Sequence, residues 1–292
     1  MTKPAGFLHI CKQIRLQIKA NVKKILVQRK IKPLFTISKG SLQVIVTLTS
    51  YDKRIENSVF YTLCSLLDQT EQPDRIILWL ANDAKLTKKL EYLKTQGVEI
   101  KFCNDIKSYK KLIPSLQEYS NDILITADDD VFYPRNWIAQ FKSSYETAPE
   151  KIHCFRAREI LVDREGSPAP YEDWPLLSKE PSCRESIFPT GVGGILYPPH
   201  TLNNNCTKSE LFMQLAPKAD DMWFWAMAKL KGTEYSIIEN GPTYFTSTIP
   251  NDKNGLSITN FQGENNKQLQ NILNMYPKLK DTLIQIAQSN NL

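Results

Sequence analysis

The chain has 292 residues but only three histidines, His9, His153 and His200. That scarcity excludes a poly-histidine metal centre and argues against a Ser-His-Asp hydrolase. Its six cysteines, at positions 11, 64, 103, 154, 183 and 206, form no CxxC pair and follow no short regular spacing. They read as reduced thiols, not as a zinc site or a disulfide frame. Long apolar runs are missing too. The strongest, Ile76-Ile77-Leu78-Trp79-Leu80-Ala81, is a strand length, whereas a bilayer span takes about 20 residues. Near the start, Lys12, Arg15 and Lys19 interrupt every apolar stretch before it reaches the roughly 7–15 residues of a secretory signal. A cytoplasmic protein is expected, with peripheral attachment to the cytosolic face of a membrane left open.

Acidic residues are absent from the first 40 positions, which carry ten basic side chains. The formal charge of +6 therefore divides into +10 on this arm and 27 minus 31, or −4, on the remainder. A basic arm on a mildly acidic body is not the pattern of a uniformly basic nucleic-acid binder, and no nucleic-acid partner is expected. Phe7, Cys11, Ile14, Ile18, Val22 and Ile25 recur at helical spacing, with Lys12, Arg15, Lys19 and Lys23 on the flank or the opposite side. Two readings fit: a helix lying in the headgroups of an anionic membrane through residues 1–35, or one docked on the domain with its lysines solvated. A linker follows over residues 30–40.

Beyond the arm, 41% hydrophobic and 23% charged residues describe a globular chain with a real core, not a disordered one. Leu42 to Thr49 is too uniformly apolar for a strand with one wet face and suits a sheet covered on both sides. Helix (56–68), strand (75–80), helix (86–96), strand (98–102), helix (112–119) and strand (122–127) are predicted to follow. Such alternation predicts an α/β fold with a mainly parallel sheet flanked by helices, where ligands gather beyond the carboxyl ends of the strands. After Asp130 the alternation decays. The proline-rich stretch 164–189 reads as a long surface loop, followed by a strand near 193–197, a helix near 221–231, a strand near 234–239 and a helix over 265–276.

The strongest chemical signal is Ile123-Leu124-Ile125-Thr126-Ala127-Asp128-Asp129-Asp130. A buried strand that runs into three carboxylates costs energy unless a cation neutralises them. In extended chain alternate side chains share a side, so Asp128 and Asp130 can converge on one Mg²⁺ or Mn²⁺ ion while Asp129 points elsewhere. The competing reading is a solvated acidic turn. A second acidic cluster, Asp220-Asp221, precedes Met222-Trp223-Phe224-Trp225 at a predicted helix start; it reads either as a helix cap or as a general base. Gly191, Gly193 and Gly194 lead into a strand without forming a P-loop or GxGxxG, and permit close approach of a ligand or mark a bulge.

Val46-Thr47-Leu48-Thr49-Ser50-Tyr51-Asp52-Lys53-Arg54, then Ser65-Leu66-Leu67-Asp68-Gln69-Thr70, then Ala127-Asp128-Asp129-Asp130 together resemble the start of a family-2-type glycosyltransferase. The resemblance covers roughly residues 42–245, and Tyr109-Lys110-Lys111-Leu112-Ile113-Pro114 makes it similar to bacterial enzymes of surface-polysaccharide (capsule, lipopolysaccharide or related glycan) assembly. It implies the GT-A nucleotide-sugar-binding fold over residues 41–292, with a nucleotide-sugar half (41–135) and an acceptor half (136–292). It also implies a divalent metal cofactor (Mn²⁺ or Mg²⁺) on Asp128 and Asp130, and a glycan or lipid-linked acceptor. Donor contacts would come from Thr49, Tyr51, Arg54, Lys110, Lys111, Asp128 and Asp129. The family usually has an acidic residue at the end of the second strand that holds the base; this chain has Asn82 and Asp83 there, either of which would substitute as a donor contact with a shift in register. Asp221, with Asp220 as fallback, matches the family's base; Gly191, Gly193, Gly194 and Trp223 fall on its acceptor side. The alternatives are a nucleotidyltransferase acting on a nucleoside triphosphate, and a non-enzymatic membrane-surface or nucleic-acid-binding adaptor built around the arm.

Overall fold

A computed structural model describes residues 5–34, 42–177, 179–239, 241–242, 244–250 and 263–289, with side chains described from residue 12 onward. The linker positions 35–40 and the side chains of Phe7 and Cys11 lie outside the described residues.

Helix α1 (Ala5–Gln28) precedes the body. There, strands β1 (Val44–Thr49), β2 (Arg75–Ala81), β3 (Val98–Cys103) and β4 (Ile123–Ala127) alternate with helices α2 (Asp52–Asn57), α3 (Val59–Leu67), α4 (Lys88–Thr95) and α5 (Ile113–Glu118). Strand β5 (Val131–Phe132), helix α6 (Trp137–Thr147) and strands β6 (Ile152–Cys154), β7 (Ala157–Glu159), β8 (Leu176–Leu177), β9 (Ile187–Pro189) and β10 (Ile195–Tyr197) come next. Helices α7 (Ser209–Leu215) and α8 (Asp220–Lys231), strands β11 (Tyr235–Ile237) and β12 (Thr246–Ser247), and helices α9 (Asn265–Met275) and α10 (Leu279–Ser289) complete the chain.

The central sheet has the order β11-β6-β10-β4-β1-β2-β3. Every neighbouring pair is parallel except those of β10, which runs antiparallel to both β4 and β6. This is the α/β, mainly parallel architecture expected, flanked by helices and preceded by the N-terminal helix. The apolar runs of β1, β2 and β4 are buried throughout their middles, as a sheet covered on both faces requires. One cover is α3, whose Val59, Phe60, Leu63, Leu66 and Leu67 are all buried, each worth about 1.5–3 kcal/mol relative to exposure.

Two expectations are corrected. The helix predicted over 56–68 is two helices, broken at Ser58, whose hydroxyl bonds back to the Arg54 carbonyl (3.2 Å). The stretch 164–189 contains β8 and β9, which flank β7 in a small three-stranded sheet, and Trp174 and Phe188 are buried beneath it. Among the described residues no disulfide joins Cys64, Cys103, Cys154, Cys183 or Cys206, and no helix is long and apolar enough to cross a membrane.

Sheet register sets the functional edge. Leu48 of β1 lies opposite Ala127 of β4, so Ser50 and the acidic triplet leave the sheet side by side. Because β10 runs the other way, with Ile195 opposite Thr126, the residues before it arrive at the same edge. The first turn of α8 is brought there as well.

Candidate active site

A cavity of about 910 Å³ opens at this edge, lined by both acidic clusters, Asp128–Asp130 and Asp220–Asp221. The middle carboxylate of the triplet is turned inward. Asp129 is buried; its Oδ1 accepts from Arg54 Nη1 (2.7 Å) and its Oδ2 from the Ser50 hydroxyl (2.5 Å). Burial pushes its pKa up against the pull of Arg54 and Ser50. Asp128 and Asp130 remain partly exposed at 30% and 23%, enough to present oxygens to the cavity. Asp130 lies 3.3 Å from Arg54 Nη2.

Between the clusters stands Lys111. Its buried ammonium is 2.8 Å from Asp220, 3.3 Å from Asp128 and 3.8 Å from Asp221. Burial alone would lower its pKa, but the carboxylates of Asp220, Asp128 and Asp221 outweigh that and hold it well above the ordinary lysine value. Its backbone is fixed from beneath: the Lys111 carbonyl accepts from the Thr47 hydroxyl (2.8 Å), which also bonds Ser115 (2.7 Å), and Ser115 accepts from the Trp79 indole (2.8 Å).

Asp221, like Asp129, has a raised pKa. Desolvation raises its pKa to about 6, opposed by Lys111 and reinforced by Asp220 and Asp128. Its Oδ2 accepts from the Gly191 amide at 2.9 Å. A Cβ at Gly191 would meet Lys111 Nζ at 2.8 Å and Asp221 Oδ1 at 3.0 Å, so a side chain there would push on the ends of these two charged groups. The clusters thus form one site containing a buried cation, a carboxylate poised near neutrality and two outward carboxylates.

Other sequence candidates distribute unevenly. Thr49 and Tyr51 line the cavity, Thr49 bonded to the Trp79 carbonyl (2.8 Å). Lys110 also lines it, but its ammonium is paired with Asp105. Asn82 and Asp83 are not among the lining residues; the Asn82 amide bonds Asn104 (3.1 Å). Asp105 and Lys107 form that wall instead. Trp223 is corrected: it is fully buried and its indole donates to the Cys206 carbonyl (3.0 Å), so it packs the core and offers no sugar platform. Gly193 and Gly194 are corrected likewise. The Gly193 carbonyl accepts from the Trp137 indole (2.8 Å), and Gly194 has φ of 86° with Trp137 Cζ2 2.3 Å from where a Cβ would stand.

Sequence reading missed Arg156, Arg158, Tyr171, Tyr244 and Phe245, which also line the cavity. Arg156 donates to the Thr190 hydroxyl (2.7 Å), and burial lowers its pKa. Their only sequence signal is two arginines two apart, which share a face in a strand. Among the described residues no three His, Cys, Asp or Glu side chains gather as a metal site. His153 is buried and bonded on both ring nitrogens, to Ser144 and the Ala148 carbonyl.

No protein-family model matches the chain, and no curated protein does. Among solved structures, it is similar to the mannosyltransferase PcManGT from Pyrobaculum calidifontis in complex with GDP-Man and Mn²⁺, at 13% identity, over 95% of this chain and 79% of that one, with a TM-score of 0.47. S. aureus TarS (1–349) is similar at 14% identity over 83% and 69%, TM-score 0.48. A CMP:2-keto-3-deoxy-manno-octonic acid synthetase complexed with CTP is similar at 10% identity over 71% and 94%, TM-score 0.42.

Proposed function

We propose that the chain is an inverting glycosyltransferase that moves a sugar from a nucleotide-sugar donor to a hydroxyl of a glycan or lipid-linked acceptor, in bacterial surface-polysaccharide assembly. The observation that carries this reading is the pairing, across one cavity, of the outward carboxylates Asp128 and Asp130 with a separate carboxylate, Asp221, whose pKa stands at about 6.

Asp128 and Asp130 fit a divalent ion in donor chemistry: two hard, partly exposed oxygen groups, short of a full cage, suited to a cation that takes its remaining ligands from substrate phosphates and water. Bound there, Mn²⁺ or Mg²⁺ would supply Lewis-acid stabilisation of charge on the departing diphosphate. The chain's own residues do the rest. Arg54 aims Asp130 while anchoring Asp129. Lys111 holds Asp128, Asp220 and Asp221 together and adds positive charge beside the leaving group.

Asp221, ionised above about pH 6, takes the proton from the acceptor hydroxyl. The freed oxygen bonds the anomeric carbon from the opposite face, and the bond from that carbon to the phosphate oxygen breaks, its electron pair leaving with the nucleoside diphosphate. A panel of nucleotide sugars assayed for nucleoside diphosphate release, with and without acceptor glycans, tests this. Release from one donor, lost in Asp221→Asn while donor binding persists, supports the reading. Pyrophosphate release from a nucleoside triphosphate, with every nucleotide sugar inert, overturns it.

A further inference from the structure

Helix α1 docks on the body with the wrong face for a soluble helix. At about 100° per residue, Ile14, Ile18, Val22 and Ile25 form one stripe, and they are 54, 59, 51 and 54% exposed. The roughly opposite face makes the contacts. Ala20 is fully buried, Lys23 donates to the Thr246 hydroxyl (3.0 Å) and lies over the Phe132 ring, Lys24 lies over Tyr61, and Val27 packs on the core. The helix has therefore found a seat through lysine stems and small side chains while turning its apolar residues to the outside. Lys12, Arg15 and Lys19, all exposed, follow one edge of that stripe, and no acidic residue occurs in the first 40 positions.

We infer that this stripe is a docking surface for an anionic phospholipid bilayer, with its apolar side chains at the acyl boundary and the flanking cations among the headgroups. Charge selects this occupant over a second copy of the chain. A symmetric pairing of two stripes would offer those basic edges no acidic side chain on the facing helix, whereas anionic lipid complements them. The docked face of the same helix touches β5 and β12, through Phe132 and Thr246. Strand β5 begins directly after Asp130, and its antiparallel partner β12 carries Ser247 of the cavity lining. A second cavity of about 630 Å³ lies between Gln17 and Lys24 of α1 and the segment Tyr51–Arg54, and it shares Tyr51, Asp52 and Arg54 with the first. Membrane seating of α1 consequently places the active-site mouth beside the headgroup layer. The lipid surface itself does not depend on which transfer reaction the cavity performs.

The test is flotation of the full chain with vesicles of phosphatidylcholine alone and with phosphatidylserine at about a third of the lipid. Flotation with the anionic vesicles only, suppressed by salt, is expected. Ile18→Glu/Val22→Glu is expected to weaken it on the order of tenfold or more; both side chains are over half exposed, so melting remains that of the parent. Lys12→Gln/Arg15→Gln/Lys19→Gln is expected to abolish the preference for anionic lipid and to keep the fold. Flotation that is absent, indifferent to lipid charge, or unchanged in both variants overturns the inference. So does a lipid-free dimer that the glutamate variant dissociates, which would make the stripe a seat for a second copy.

Discussion

Replacing Lys111 by methionine removes the one cation that three carboxylates share and leaves its aliphatic volume in place. At an effective dielectric constant of about 20, unit charges separated by 2.8, 3.3 and 3.8 Å attract by about 4–6 kcal/mol each. Desolvation of the ammonium and the carboxylates offsets most of that, so the expected net loss is the about 3–5 kcal/mol typical of stranding buried charge. At roughly 2–3 °C per kcal/mol for a chain of this size, melting falls by about 6–15 °C. The loss depends on pH with a definite sign. A carboxylate whose folded pKa is raised stabilises the fold below its unfolded value and loses that contribution as pH rises through the folded value. Asp221 already stands at about 6 with Lys111 pulling it down; without Lys111 it rises further, and at pH 5 Asp221 takes up a proton and relieves the repulsion. Melting of parent and variant by fluorimetry at pH 8 and pH 5 is therefore expected to show a large deficit at pH 8 and a smaller one at pH 5. A variant that melts with the parent at pH 8, or an equal deficit at both values, would refute the shared-cation account.

Three further outcomes are expected. Asp221→Asn lowers transfer by about 10²–10⁴-fold and spares donor affinity by calorimetry; in the parent the transfer rate climbs through about pH 6 as the carboxyl ionises, and a flat profile from pH 5 to 8 would remove it as the base. Asp130→Asn abolishes the enhancement of donor binding by Mn²⁺, measured by titration with and without chelator; metal enhancement equal to that of the parent argues against the pair. Gly194→Ala, forced against Trp137 at positive φ, destabilises by about 2–4 kcal/mol, read as denaturant midpoint, whereas loss of acceptor affinity with unchanged stability would restore the acceptor role.

Much of the first half was legible because its signals are local. The apolar runs of β1, β2 and β4 are buried on both faces, and their ends locate the acidic triplet without any tertiary information. Lys111 illustrates the opposite case: beside Lys110 in sequence, it is separated from it by destination, one ammonium going to Asp105 and the other to the carboxylates, a choice made by the buried Thr47, Ser115 and Trp79 network. Trp223 was misread because Met222 to Ala228 of α8 are all buried, so no amphipathic face tells an inward aromatic from one bordering a ligand. Helix α6 was missed for lack of a cap bond and a strong apolar stripe: only Trp137, Ile138 and Phe141 are buried along it. The Ser65–Thr70 motif, prominent in sequence, contributes no lining residue. Gln69 and Ser65 instead brace the loop after the triplet, bonding Pro134, Ile138 and Tyr133.

The inward turn of Asp129 predicts two distinct mutational phenotypes from three adjacent codons. On the proposed reading, changes at positions 128 and 130 are expected to leave a well-produced protein that does no work, while changes at 129 are expected to remove the buried acceptor of Arg54 and Ser50 and to reduce the amount of protein recovered. A saturation library scored separately for abundance and for turnover would split the triplet along that line, with the central position grouping with the core.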